Sequence, residues 1–174
     1  RLLDLFHSPA LDLDKLTRAW CALVFRFNSG ILRVNCKPVL LGDGIKVAKA
    51  GRKMPGVKKL HQESDSNTKP EYIFGHSCQA VALLTQALSS VFALPLACRI
   101  HEGTVFSNRD HRTLLDKMIL LLDSLGLNEP FYFVADAYYA SGKIVRGLLA
   151  HGNHLVTRVK SNSVAYFLAT PPPP

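Results

Sequence analysis

The chain has 174 residues, enough for one domain with its own core. Hydrophobic residues make up 48% and charged residues 20%, a balance that excludes an intrinsically disordered chain. With 21 Lys and Arg against 13 Asp and Glu, the net charge of +8 favours a polyanionic partner over simple solubility, nucleic acid ahead of an acidic membrane.

Residues 1–30 read as helical. Leu2, Leu3, Leu5 and Phe6 make a first apolar face that ends at Ser8-Pro9. Leu13, Leu16, Trp20, Leu23, Val24 and Phe27 then recur at spacings of three and four, which predicts an amphipathic helix closed by Asn28-Ser29-Gly30. Val39, Leu40 and Leu41 predict a short buried strand with Asp43 near its end, between two glycines. Residues 46–70 are polar and basic with no apolar period, and read as a long connection. Residues 72–85 and 91–100 predict an antiparallel hairpin. The nearly uncharged run 80–98 is interrupted by Gln86, Ser89, Ser90 and Pro95, so two strands and a turn explain it better than a membrane span.

Residues 110–125 predict a helix with Leu114, Leu115, Met118, Ile119, Leu122 and Leu125 inward and Gly126 as its stop. Residues 131–135 predict a buried strand that runs into Asp136. A helix over 142–151 and a strand over 154–159 follow, and the run 171–174 is a polyproline stub. After the helical start the order is β-β-β-α-β-α-β, a five-stranded mixed sheet with helices packed on it.

Asp43 and Asp136 stand out because each follows a run of strand residues, VLLGD and FYFVAD. If those strands are neighbours ending at one edge, the two carboxylates meet. Such a pair repels unless a cation lies between its members. Mg²⁺ accepts one or two carboxylates together with water and phosphate oxygens. The competing reading is that each Asp only starts a turn. Lys46, Lys49, Arg52, Lys53, Lys58 and Lys59 suit the neutralisation of a phosphate backbone, or else decorate a solvated loop. Arg158 and Lys160 follow the last strand, where they hold phosphate or pair with acidic neighbours. Cys21, Cys36, Cys78 and Cys98 form no CxxC pair and read as buried free thiols, which fits a reducing cytoplasm. His61, His76, His101, His111, His151 and His154 show no metal-ligand spacing. Ser141-Gly142-Lys143 reads as a helix start rather than a phosphate cradle, and neither a P-loop nor a GxSxG elbow is present.

The stretches LLGDGIKVAKAGRKMPGVKKLHQESDSNTKPEYIFGH, FVADAYYASGKIV and HLVTRVKSN resemble the catalytic domain of bacterial insertion-sequence transposases with a DDE triad and a ribonuclease H-like α/β fold. The resemblance implies a helical segment over 1–36 that ends an N-terminal region, an incomplete catalytic domain over 37–168, and a Pro-rich start of an insertion or tail over 169–174. It also implies an endonuclease and strand-transfer enzyme of a mobile element, using two Mg²⁺ or Mn²⁺ ions. Asp43 and Asp136 would be the first two metal-binding catalytic residues. The family's third residue, a Glu on a helix after the fifth strand, is expected beyond the end of this chain, so the chain alone is expected to be inactive. Glu102, Asp110 and Asp116 are the in-chain substitutes considered. Asp110 reads better as a helix start and Asp116 as part of a solvated helix face. The partners implied are DNA ends and target, with self-association on DNA, no membrane, and a bacterial nucleoid-associated location in the cytoplasm. The alternatives are a catalytically inert DNA-binding remnant of a transposase, or another ribonuclease H-like nuclease.

Overall fold

The computed structural model describes residues 8, 10–51, 53–54, 56–61, 70–101, 112–159 and 161–164. Expectations for residues 1–7, Arg52, Glu102, Asp110, Lys160 and 169–174 fall outside them.

Helix α1, Leu13–Phe27, starts at Asp12, whose side chain accepts the backbone N–H groups of Asp14 and Lys15. The strands are β1 (Arg33–Val34), β2 (Lys37–Ala48), β3 (Lys58–His61), β4 (Tyr72–Ala87), β5 (Ser90–His101), β6 (Tyr132–Ala135) and β7 (His154–Val156). Helix α2, Leu114–Ser124, lies between β5 and β6, and α3, Gly142–Leu149, between β6 and β7. All seven strands found among the described residues join one sheet. Strand β4 is antiparallel to β2 on one side and to β5 on the other, while β2, β6 and β7 run parallel. The fold is therefore a mixed α/β arrangement on a mixed sheet. Its five principal strands and two later helices follow the predicted order.

Three features depart from the sequence reading. The sheet has two strands beyond the predicted five: β1 folds back on the start of β2, and β3 pairs with the start of β4. Part of the basic connection is thus strand, and Lys46 belongs to β2. Asp43 is also not at the end of its strand. Strand β2 continues to Ala48, because β4 is 16 residues long and keeps β2 paired as far as Ala48↔Gly75. Finally, the periodicity located α1 but not its buried side. Of the six predicted inward residues only Val24 is buried, alongside Cys21, while Leu13, Leu16, Trp20, Leu23 and Phe27 stay exposed. The helix meets β5 and α2 along that narrow seam.

The core runs between the helices and one face of the sheet: Leu40, Val81, Leu83 and Phe133 from strands, Met118, Leu121, Leu122 and Leu125 from or just after α2, and Ile144 and Leu148 from α3. Helix α2 is held by a capping box. Asp116 accepts the Thr113 backbone N–H at 2.8 Å, and Thr113 accepts that of Asp116 at 3.3 Å. Asp116 is therefore not the free solvated group the sequence suggested. It also binds Lys143 at 2.8 Å, which ties α2 to α3. Ser141 caps α3 through the Ile144 N–H, as expected of a helix start. The cysteines divide two ways: Cys21 and Cys78 are buried, but Cys36, in the turn between β1 and β2, and Cys98, on β5, are exposed.

Candidate functional site

Strands β2 and β6 pair in parallel through Val39↔Tyr132, Leu40↔Phe133, Leu41↔Val134 and Gly42↔Ala135. The next residue in each case is an aspartate, Asp43 within β2 and Asp136 just past the end of β6. Parallel neighbours in register project side chains to the same side, about 5 Å apart across the strand gap. At this point β6 ends and β2 continues with β4 alone, so the two carboxylates stand at the mouth of the gap that opens. Both line a cavity of about 170 Å³ together with Gly44, Lys46, Gln79 and Tyr139.

Each aspartate is exposed and spends one oxygen locally. Asp43 Oδ1 accepts from the Gly44 N–H at 2.7 Å, and Asp136 Oδ1 accepts from the Tyr138 N–H at 3.1 Å. The second is a turn-starting role: Asp136 caps the single 3₁₀ turn Ala137–Tyr139. Oδ2 of each accepts no hydrogen bond among the described residues. The turn swings Tyr139 back beneath the carboxylates, where it is almost fully buried. Burial pushes its phenol up to about 12, opposed by a hydrogen bond from Gln79 and reinforced by the negative charges of Asp43 and Asp136. Both aspartates therefore act on one hydroxyl.

Gln79 secures that hydroxyl. Its Nε2 donates to Tyr139 Oη at 3.0 Å and to the Leu114 carbonyl at 2.9 Å, joining β4, the 3₁₀ turn and α2. Its Oε1 is buried without a hydrogen-bond partner among the described residues. Gly44 stands directly opposite Gln79, and a Cβ there would make an ordinary contact, at 3.5 Å, with the Tyr139 hydroxyl.

The predicted basic residues separate. Lys46 lines the cavity and donates to the His61 carbonyl at 2.7 Å, binding β2 to β3. Lys58 and Lys59 sit on β3, where the Lys59 ammonium lies 4.2 Å from the Tyr72 ring centroid. Lys49 and Lys53 are exposed on the segment that follows β2. Arg158 is exposed two residues after β7, next to Thr157, whose hydroxyl donates to the Asp136 carbonyl at 2.8 Å. Among the described residues no group of three or more His, Cys, Asp and Glu side chains could hold a metal ion, and no helix is long and apolar enough to cross a membrane. Sequence reasoning assigned no role to Gln79, Gly44 or Tyr139. Tyr139 carries a signal, an aromatic three residues past the aspartate in ADAYYAS, but Gln79 enters only through the β2–β4 register.

No family model matches the chain, and no curated protein matches it. Among solved structures it is similar to the piggyBac transposase in its synaptic complex with hairpin DNA, at 14% identity and a TM-score of 0.48. The match covers 72% of this chain and 23% of that one, so this chain spans less than a quarter of that protein's length.

Proposed function

We propose that the chain is the front part of a ribonuclease H-like DDE transposase catalytic domain, which cleaves DNA phosphodiesters and transfers strands with the help of divalent cations. What supports the reading most is the parallel β2–β6 register, which ends at Gly42↔Ala135 with Asp43 and Asp136 as the next residues. The donor set fits Mg²⁺ or Mn²⁺: two carboxylates, each with an uncommitted oxygen, facing a cavity open to water and phosphate. A pair of ions there would supply an activated nucleophile and charge compensation for the leaving oxygen.

The chain's own residues position and compensate. Asp43 and Asp136 bring the negative charge that selects a cation. The Gly44 and Tyr138 N–H groups fix one oxygen of each, so the free oxygens have defined directions. Tyr139 accepts its hydrogen bond from Gln79, which leaves its own hydrogen to donate toward the carboxylate side. Lys46 and the basic residues after β2 attract the DNA backbone without reading its sequence.

Calorimetric titration with Mn²⁺ tests the reading. Binding by the wild-type chain, lost in both Asp43→Asn and Asp136→Asn, is the expected result. Equal binding by all three, or by none, would overturn it.

A further inference from the structure

A second, larger cleft lies beside the two-aspartate cavity. It has a volume of about 490 Å³, and its lining includes Arg99, His101, Arg112, Lys117 and Leu120, with Asp14 the acidic member among the described residues. We propose that this cleft is a phosphodiester-binding site, which seats the backbone of a DNA strand on its way to the aspartates. The direction of that path rests on the proposed function; the affinity of the cleft for DNA phosphate does not.

Three placements carry the inference. First, the cleft and the aspartate cavity share a wall. Gln79 of the cavity and Arg99 of the cleft are direct cross-strand partners, as are Ser77 and His101. On α2, Leu114 lines the cavity and Lys117, one turn later, the cleft. One strand spacing of about 5 Å is one or two nucleotides at about 3.4 Å each. Second, the fold gathers like charges here. Strand β3 pairs with β4 at Gly75 and β5 ends opposite Ser77, so Lys58 continues the edge on which Arg99 and His101 stand. Burial, and then the nearby Lys117 ammonium, hold Lys58 below the usual lysine range. Third, the cleft is built by packed elements. Arg99 is fixed by an ion pair with Asp14 of α1, and Lys117 rises from α2, whose inner face is core. Cations already held in place bind a phosphate with little further ordering.

The test is fluorescence anisotropy with a labelled DNA duplex of arbitrary sequence, in EDTA, over a series of KCl concentrations. Arg112→Gln/Lys117→Gln should flatten the dependence of log K on log salt by about 1.8, from two phosphate contacts at about 0.9 each. Lys15→Gln/Arg26→Gln, which removes the same charge from α1, should leave the slope unchanged. On the wild-type chain, DNA should protect Lys58 and Lys117 from acetylation while Lys15 stays reactive, a readout that needs no variant to fold. No DNA binding by the wild type, equal flattening by both double variants, or unprotected Lys58 and Lys117 would overturn the proposal. A chain that passes here but binds no Mn²⁺ at Asp43 and Asp136 keeps the cleft and loses the transposase reading. The reverse pattern loses the cleft alone.

Discussion

Burial keeps the Tyr139 phenol neutral up to about pH 12, and the two aspartates beside it push in the same direction. The unfolded chain ionises its tyrosines near pH 10. Between those values the unfolded state sheds a proton that the folded state keeps, so this contribution to stability is whole below about pH 10 and declines as the pH rises toward 12. Two substitutions should move the group in opposite directions. Asp43→Asn/Asp136→Asn removes two negative charges and should bring the Tyr139 pKa down. Gln79→Leu removes the hydrogen bond that favours the phenolate and should raise it. NMR titration of the Tyr139 ring carbons reads both, and if neither variant shifts the curve, the hydroxyl does not sit between Gln79 and the aspartates in solution.

At the level of elements, α2 and α3 meet through one carboxylate. The hydrogen bond from Lys143, and then those from Thr113, hold Asp116 down at about 2. A depressed carboxylate stabilises the fold above its unfolded value near 4, and that contribution is lost as the pH falls toward 2. Thermal melts across this window should show the wild-type Tm dropping with acid, and the drop should be smaller in Asp116→Asn, which starts without the interaction. An identical acid dependence would mean that other carboxylates control it. The sequence reading placed Asp116 on a solvated helix face and gave Thr113 no role, so the capping spacing passed unused. The five principal strands and α2 were legible because each is an apolar run bounded by turn residues. The length of β2 was not, since Gly42, Asp43 and Gly44 look like a terminus until a 16-residue partner keeps them extended. The same holds for the site. Both aspartates could be picked out as strand-following acids, but the Gln79–Tyr139 pair that supports them depends on pairing register, which no local pattern encodes.

For the whole molecule, the open question is whether residues 1–36 form a unit apart from the sheet, as the resemblance to transposases implies. Helix α1 places Cys21 and Val24 in the same cluster as Leu83, Leu121 and Leu125. Its Trp20 Nε1 donates to the Pro95 carbonyl of β5 at 3.0 Å, and its Asp14 pairs with Arg99. A helix with five large apolar residues exposed and only a narrow seam buried gains most of its stability from that seam. The chain has a single tryptophan, so fluorescence reports on α1 while far-ultraviolet circular dichroism reports mainly on the sheet and the other helices. If α1 and the sheet share one cooperative core, the two signals should trace one urea transition. Val24→Ala, which removes two buried methylene equivalents at about 0.8 kcal/mol each, should then move both midpoints together by a loss of about 2 kcal/mol. A fluorescence transition that comes first, and that alone responds to Val24→Ala, would make α1 an independent unit and place the boundary before β1. The outcome bears on the basic cleft too, because Asp14 of α1 holds Arg99 in its wall. If α1 detaches, Arg99 is released and the cleft loses one of its fixed cations; if it does not, the phosphate site and the aspartate site belong to one rigid framework.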